Sequence, residues 1–178
     1  TDFFTCATDS IVTTNTCNGD GDKVIRYTLS SYPDTTKRES WRAHEHLLLA
    51  NLYHEKLTSP GIATGTTTSL RYKAIIGVNV YTSSWPDTGY SIGSTNSLSG
   101  STILFVGNES NGRSTVEGSF LHKDLYNIDQ KIDDGLPGKG HITSWSRSVS
   151  TCRGGSISEY DLDNKNIECS FSYRIPIR

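Results

Sequence analysis

The sequence predicts an α+β fold. Two stretches carry apolar residues at helical spacing: Leu121, Leu125, Ile128 and Ile132 fall at i, i+4, i+7 and i+11, and Trp41, Leu48 and Leu52 share a second face. Four others, residues 24–29, 71–82, 102–106 and 169–177, alternate or run apolar with β-branched and aromatic residues, as strands do. At 178 residues the chain is most simply one domain, residues 1–178, able to bury roughly two thirds of its unfolded surface.

Taken in order, residues 1–23 have the Thr, Asp, Asn and Gly composition of a loop. Cys6 and Cys17 are close in sequence and are paired with each other; closing that loop restricts the unfolded chain by about 3 kcal/mol. Asn18, Asp20 and Asp22 alternate as the first ligands of a calcium loop do, yet Lys23 stands at the sixth position and Leu29 at the twelfth. A helix-loop-helix calcium site is thereby not supported, and the stretch reads as a solvated turn in preference to a calcium site.

Thr36 and Glu39 form a capping box, worth about 1 kcal/mol, that opens a helix over residues 37–57. Leu47, Leu49, Ala50 and Tyr53 widen its apolar surface, so it should be covered on more than one side. His44, His46 and His54 invite a metal reading, but a zincin helix needs histidines four apart, and His44 and His46 point to different faces. They are read as partly buried or surface histidines.

Residues 71–82 read as a long strand, and 83–101 as a polar loop bearing Trp85 and Tyr90, aromatics suited to a binding surface. Within it, Gly89, Ser91 and Gly93 fit the nucleophile-elbow pattern, but with no helix pattern behind them they are read as loop. The tripeptide Asn108, Glu109, Ser110 is treated as a chance glycosylation signal. Ser119 is placed to cap the helix of the 121–132 stripe, and Gly135 with Pro137 to end it. Asp129, Asp133 and Asp134 crowd its last turn, where the helix dipole disfavours negative charge. Either a calcium or other cation is bound by at least one of them, or Asp133 and Asp134 accept hydrogen bonds from the backbone amides of the turn over residues 135–140. Residues 141–146 suggest a short strand with Trp145 inward. Cys152 and Cys169 bracket a loop, and residues 169–177 form the last strand, with Cys169, Phe171, Tyr173 and Ile175 on one face.

Four cysteines outside any CxxC or Cys/His metal spacing favour two disulfides and an oxidising compartment. A net charge of −2 with scattered Lys and Arg argues against a general grip on nucleic acid. No run of about 18 apolar residues is present, nor a signal peptide.

The run IDQKIDDGLPGKG, residues 128–140, resembles a signature of type IV pilin-like and pseudopilin proteins, those made with a prepilin-type N-terminal cleavage and methylation segment. TDFF at residues 1–4, CNGDGDKVI at 17–25 and ESWRAHEHLLLANL at 39–52 resemble, in order, earlier blocks of the same family. The resemblance implies a pilin-like head, an antiparallel sheet packed on helices, whose hydrophobic N-terminal helix is not in this sequence; the helix of residues 37–57 would pack beneath or beside that element. It implies that residues 152–169 form an exposed edge for subunit contacts. Calcium in the C-terminal region, as in many major pseudopilins, is a further implication, although their ligand pattern is not clearly present.

The expected function is therefore non-catalytic: a structural subunit of a pilus-like filament or a type II secretion pseudopilus, periplasmic or at the cell surface. Its partners would be other pilin or pseudopilin subunits and the assembly or secretion machinery, with the membrane reached only through the N-terminal helix. The alternative is a secreted or cell-surface adhesin-like module recognising a glycan or protein through Trp85 and Tyr90. An enzyme is not expected, since no catalytic order of Ser, His and Asp, paired carboxylates or metal spacing survives inspection.

Overall fold

The computed structural model describes residues 24–25, 39–53, 57, 74–94, 101–110, 114–146, 150–152 and 157–176. The Cys6–Cys17 pairing, the Asn18, Asp20 and Asp22 turn, the Thr36 cap and His54 lie outside them. The described elements are helix α1 (Glu39–Leu49), strands β1 (Tyr81–Thr82), β2 (Gly89–Gly93) and β3 (Ile103–Gly107), helix α2 (His122–Ile132), and strands β4 (Ile142–Trp145) and β5 (Ser170–Arg174). All strand pairings are antiparallel and give one five-stranded sheet in the order β1-β2-β3-β5-β4. The architecture is α+β. No helix among the described residues is long and apolar enough to cross a membrane.

Opposed residues in an antiparallel ladder share a face, so register separates the two sides of the sheet. Tyr90 lies opposite Val106 and Val106 opposite Phe171, and this face, with Leu104, meets Leu125 of α2 together with Phe120, Tyr160, Cys152 and Cys169 in the main core. Tyr81, opposite Tyr90, reaches α1 on that side: its hydroxyl donates to the His44 carbonyl at 2.7 Å, and the Tyr53 ring stacks on it with centroids 3.7 Å apart. The opposite face carries Gly89, Ser91, Gly93, Ile103, Phe105 and Gly107. Here the small residues let a stretch of backbone lie flat on the sheet. Thr115 donates its amide to Ser91 Oγ at 3.0 Å and its hydroxyl to the Phe105 carbonyl at 3.0 Å, and Val116 packs with Ile103 and Phe105.

That covering stretch explains the largest departure from the sequence reading. Residues 89–93 read as loop because their sheet face is Gly, Ser and Gly; in the structure they are β2, with Ser91 bonded to Thr115 and Gly89 leaving room for Ile76. Over its described part, residues 74–82, the long strand expected for 71–82 is instead a tight turn followed by two strand residues. Gly77 takes φ +75°, and the buried Asn79 side chain accepts the Ile75 amide at 2.7 Å, which folds the chain back so that Ile76 bridges Val80. Helix α1 stops at Leu49, and Asn51 at φ 53° turns the chain out, leaving Leu52 exposed. Ser119 does not cap α2: the cap position is Leu121, with no side-chain hydrogen bond, and Ser119 Oγ donates to the Asp87 carbonyl at 3.2 Å. Trp145 points outward, since on edge strand β4 it pairs with Ser170 on the face away from the main core.

Residues 118–120 run against 168–169 closely enough to exclude a side chain. The Ser119 and Phe120 amides both donate to the Cys169 carbonyl, at 2.8 and 2.9 Å, and Cys169 returns its amide to Phe120 at 3.0 Å. A Cβ on Gly118 would fall 2.5 to 2.7 Å from the Glu168 backbone. Backbone cannot swing aside as a side chain can, so Gly118→Ala should cost about 2 kcal/mol of unfolding free energy. A urea midpoint unchanged from wild type would show that the two strands part without cost.

Candidate functional site

The site is built on α2 and the turn at its C-terminal end. Asp124 in the first turn and Lys131 in the last complement the helix dipole. The buried residues are His122, Leu125 and Asp129, at i, i+3 and i+7, so the core-facing stripe is rotated from the apolar one. Ile132 is consequently 60 % exposed. Two polar groups, His122 and Asp129, replace apolar ones at the ends of the buried stripe, and each accepts a hydrogen bond there.

Asp129 Oδ1 accepts the Gly135 amide at 3.2 Å, and Oδ2 accepts the Tyr160 hydroxyl at 2.7 Å. Burial raises the Asp129 pKa, opposed by the bonds from Tyr160 and Gly135 and reinforced by the charges of Asp134 and Asp133. Burial, with the adjoining Asp129 carboxylate, pushes the Tyr160 phenol far above its ordinary value. The helix ends as the Gly135 and Pro137 pattern requires, with Gly135 at φ +74°, where a Cβ is disfavoured. Asp134 Oδ1 then accepts the Leu136 amide at 2.8 Å, while Asp133 Oδ2 accepts the amides of His141 and, at 2.8 Å, Ile142. The three carboxylates therefore cap amides between Gly135 and Ile142, and also bring an oxygen each within 4.8 Å of the others. Oxygen ligands at such spacing suit a hard cation such as calcium, although both Asp129 oxygens already accept hydrogen bonds.

Beside this corner lies the disulfide-closed loop. Cys152 and Cys169 are bonded and fully buried, with the loop between them returning over α2 through Tyr160. His122 Nδ1 accepts the Asp161 amide at 3.3 Å; Nε2 is buried with no hydrogen-bond partner, 3.8 Å from Glu168 Oε2. Glu168 is in turn held by Thr151 Oγ1 at 2.8 Å and Asn164 Nδ2 at 3.3 Å, and the Thr151 bond is the main reason its pKa is lowered. Leu162 and Ile167 stand 44 % and 65 % exposed on the same loop.

The other candidates are separate. Trp85 is 40 % exposed in the β1–β2 turn, fixed by its indole N–H donating to the Ser119 carbonyl at 3.1 Å and by the Phe120 ring 5.3 Å away. Tyr90 is half-buried against the main core. Ser91 is buried and bonded to Thr115, with no histidine partner. Asn108 accepts the Glu109 amide at 2.6 Å and pairs by its backbone with Glu117. Sequence reasoning passed over His122, Tyr160 and Glu168; the available signal was the spacing of His122, Leu125 and Asp129, hidden because two of the three are polar. Comparison with known proteins gave no significant match to a protein-family model, to a curated protein or to a solved structure, so the family resemblance rests on the quoted motifs.

Proposed function

We propose that this chain is the head of a pilin-like or pseudopilin subunit, periplasmic or cell-surface, whose activity is assembly rather than catalysis. The observation that carries the reading is the C-terminal loop, closed by a buried disulfide, stitched to α2, and presenting Leu162 and Ile167 to solvent beside the last strand. A rigid loop with exposed aliphatics suits protein contact, because little conformational entropy is lost when it docks. Its partners are other pilin or pseudopilin subunits and the secretion or pilus machinery, and the membrane is reached through a helix encoded upstream of Thr1. The double substitution Leu162→Glu, Ile167→Glu in the full-length protein should abolish filament incorporation and leave the melting temperature within about 2 °C of wild type. Normal incorporation would remove the loop from the interface. The alternative, an adhesin-like module, draws on the exposed face of Trp85, and binding of a glycan or host protein lost in Trp85→Ala would favour it.

The same proposal assigns calcium to the acidic corner, since its cation would relieve the mutual repulsion of Asp129, Asp133 and Asp134. Millimolar calcium added to chelator-treated protein should raise the melting temperature, by about 4 °C if occupancy adds roughly 1.5 kcal/mol. Asp134→Asn should remove that rise. An unchanged melting temperature and no heat on calorimetric titration would leave the carboxylates with amide capping as their whole role.

A further inference from the structure

We propose that reduction of the Cys152–Cys169 bond turns its surroundings into a zinc site whose ligands are Cys152 Sγ, Cys169 Sγ, His122 Nε2 and Glu168 Oε2. A ring nitrogen of His122 and the two sulfurs already lie within 4.8 Å of one another, and Glu168 Oε2 lies 3.8 Å from Nε2. Four ligands of this kind, two thiolates, an imidazole and a carboxylate, match the donor set and the fourfold count that zinc prefers, and thiolates select it over calcium or magnesium. The independent sign of a ligand is Nε2 itself: the His122 side chain is fully buried, and this nitrogen has no hydrogen-bond partner. Burying a polar nitrogen unsatisfied is costly, and a metal would satisfy it. Glu168 is positioned for the task by its bonds from Thr151 and Asn164, and its partial exposure gives the ion a way in.

The chemistry closes. A phosphine reductant with one water cleaves the sulfur–sulfur bond, giving two thiols and the phosphine oxide. The freed sulfurs can then separate to about 3.8 Å, the edge of a tetrahedron with zinc–sulfur bonds of about 2.3 Å. Zinc displaces the two thiol protons. Metallation of Nε2 moves the ring proton to Nδ1, which changes from acceptor to donor, so the long 3.3 Å bond from the Asp161 amide is released to solvent. The site exists only in the reduced chain. It does not depend on the filament reading.

The test uses phosphine-reduced protein carrying Cys6→Ser and Cys17→Ser, titrated with cobalt(II) as a spectroscopic stand-in and then with zinc in competition. One cobalt per chain is expected, with thiolate charge-transfer and tetrahedral ligand-field bands that zinc abolishes. His122→Asn should weaken cobalt binding on the order of 10- to 100-fold, Glu168→Gln about tenfold, and Cys152→Ala should remove the bands. The Asp161 amide resonance should move on metallation. Absent bands overturn the proposal, as do bands unaltered by His122→Asn or retained in denaturing urea, since sulfurs of an unfolded chain would then be the ligands. Melting curves of the oxidised His122→Asn protein separate a lost ligand from a lost fold.

Discussion

Acidification from pH 7 to about 4.5 should cost the protein about 2.5 kcal/mol of stability through His44 alone. The ring sits in α1 against Tyr81, centroids 5.4 Å apart in a T-shaped contact, and neither of its nitrogens has a hydrogen-bond partner. Burial without a partner disfavours the imidazolium and lowers its pKa from 6.5 to about 4. Between these values the unfolded chain binds the proton and the native chain does not, so stability rises with pH across the window. The contribution is complete above pH 6.5, is lost as pH falls toward 4, and amounts to about 3 kcal/mol in full. His44→Phe, which keeps an aromatic ring and removes the titration, should flatten this limb of the profile. Urea unfolding at several pH values measures it, and parallel profiles for the two proteins would mean that the imidazole charges without leaving its contact with Tyr81.

The same residue shows how far sequence reasoning reaches. His44 was legible only as a partly buried or surface histidine with no metal spacing, whereas its full burial without a hydrogen bond depends on what α1 meets and has no local signature. Elements governed by local chemistry were readable: β3 and β5 by their apolar alternation, and the end of α2 by Gly135, whose φ of +74° only glycine adopts cheaply. Elements governed by distant partners were not. Strand β2 looks like loop until Thr115 is set on Ser91 and Ile76 against Gly89. The rotation of α2 follows from Tyr160, 31 residues away, reaching Asp129; an apolar count assigns Ile132 to the core because it cannot foresee a satisfied carboxylate. The acidic corner lay between the two cases. Three aspartates at a helix end announced that something must offset them, and the amides that do so come partly from the turn and partly from β4.

Removing the Cys152–Cys169 bridge should be as costly as any acid effect. Its cysteines are 17 residues apart, and opening a loop of that length returns about 3 kcal/mol of chain entropy to the unfolded state. Cys152→Ala with Cys169→Ala should therefore lower the melting temperature by roughly 6 to 12 °C, with alanine preferred to serine because both positions are fully buried in the main core. The loop should also become the first site of proteolysis, since without the bridge its ties among the described residues come down to single side-chain and backbone bonds such as Tyr160 to Asp129, Asp161 to His122, and Glu168 to Thr151 and to Phe120. Equal melting temperatures, or unchanged protease resistance over residues 157–168, would mean that those ties fix the loop and the sulfur link adds nothing. Comparison with reduced wild type then separates two roles of the same atoms. With Cys6 and Cys17 replaced by serine in both, the reduced protein and the alanine pair should be destabilised alike without metal, but zinc should restore only the protein that keeps Cys152 and Cys169, because only there can the sulfurs close the loop again through a metal in place of a bond.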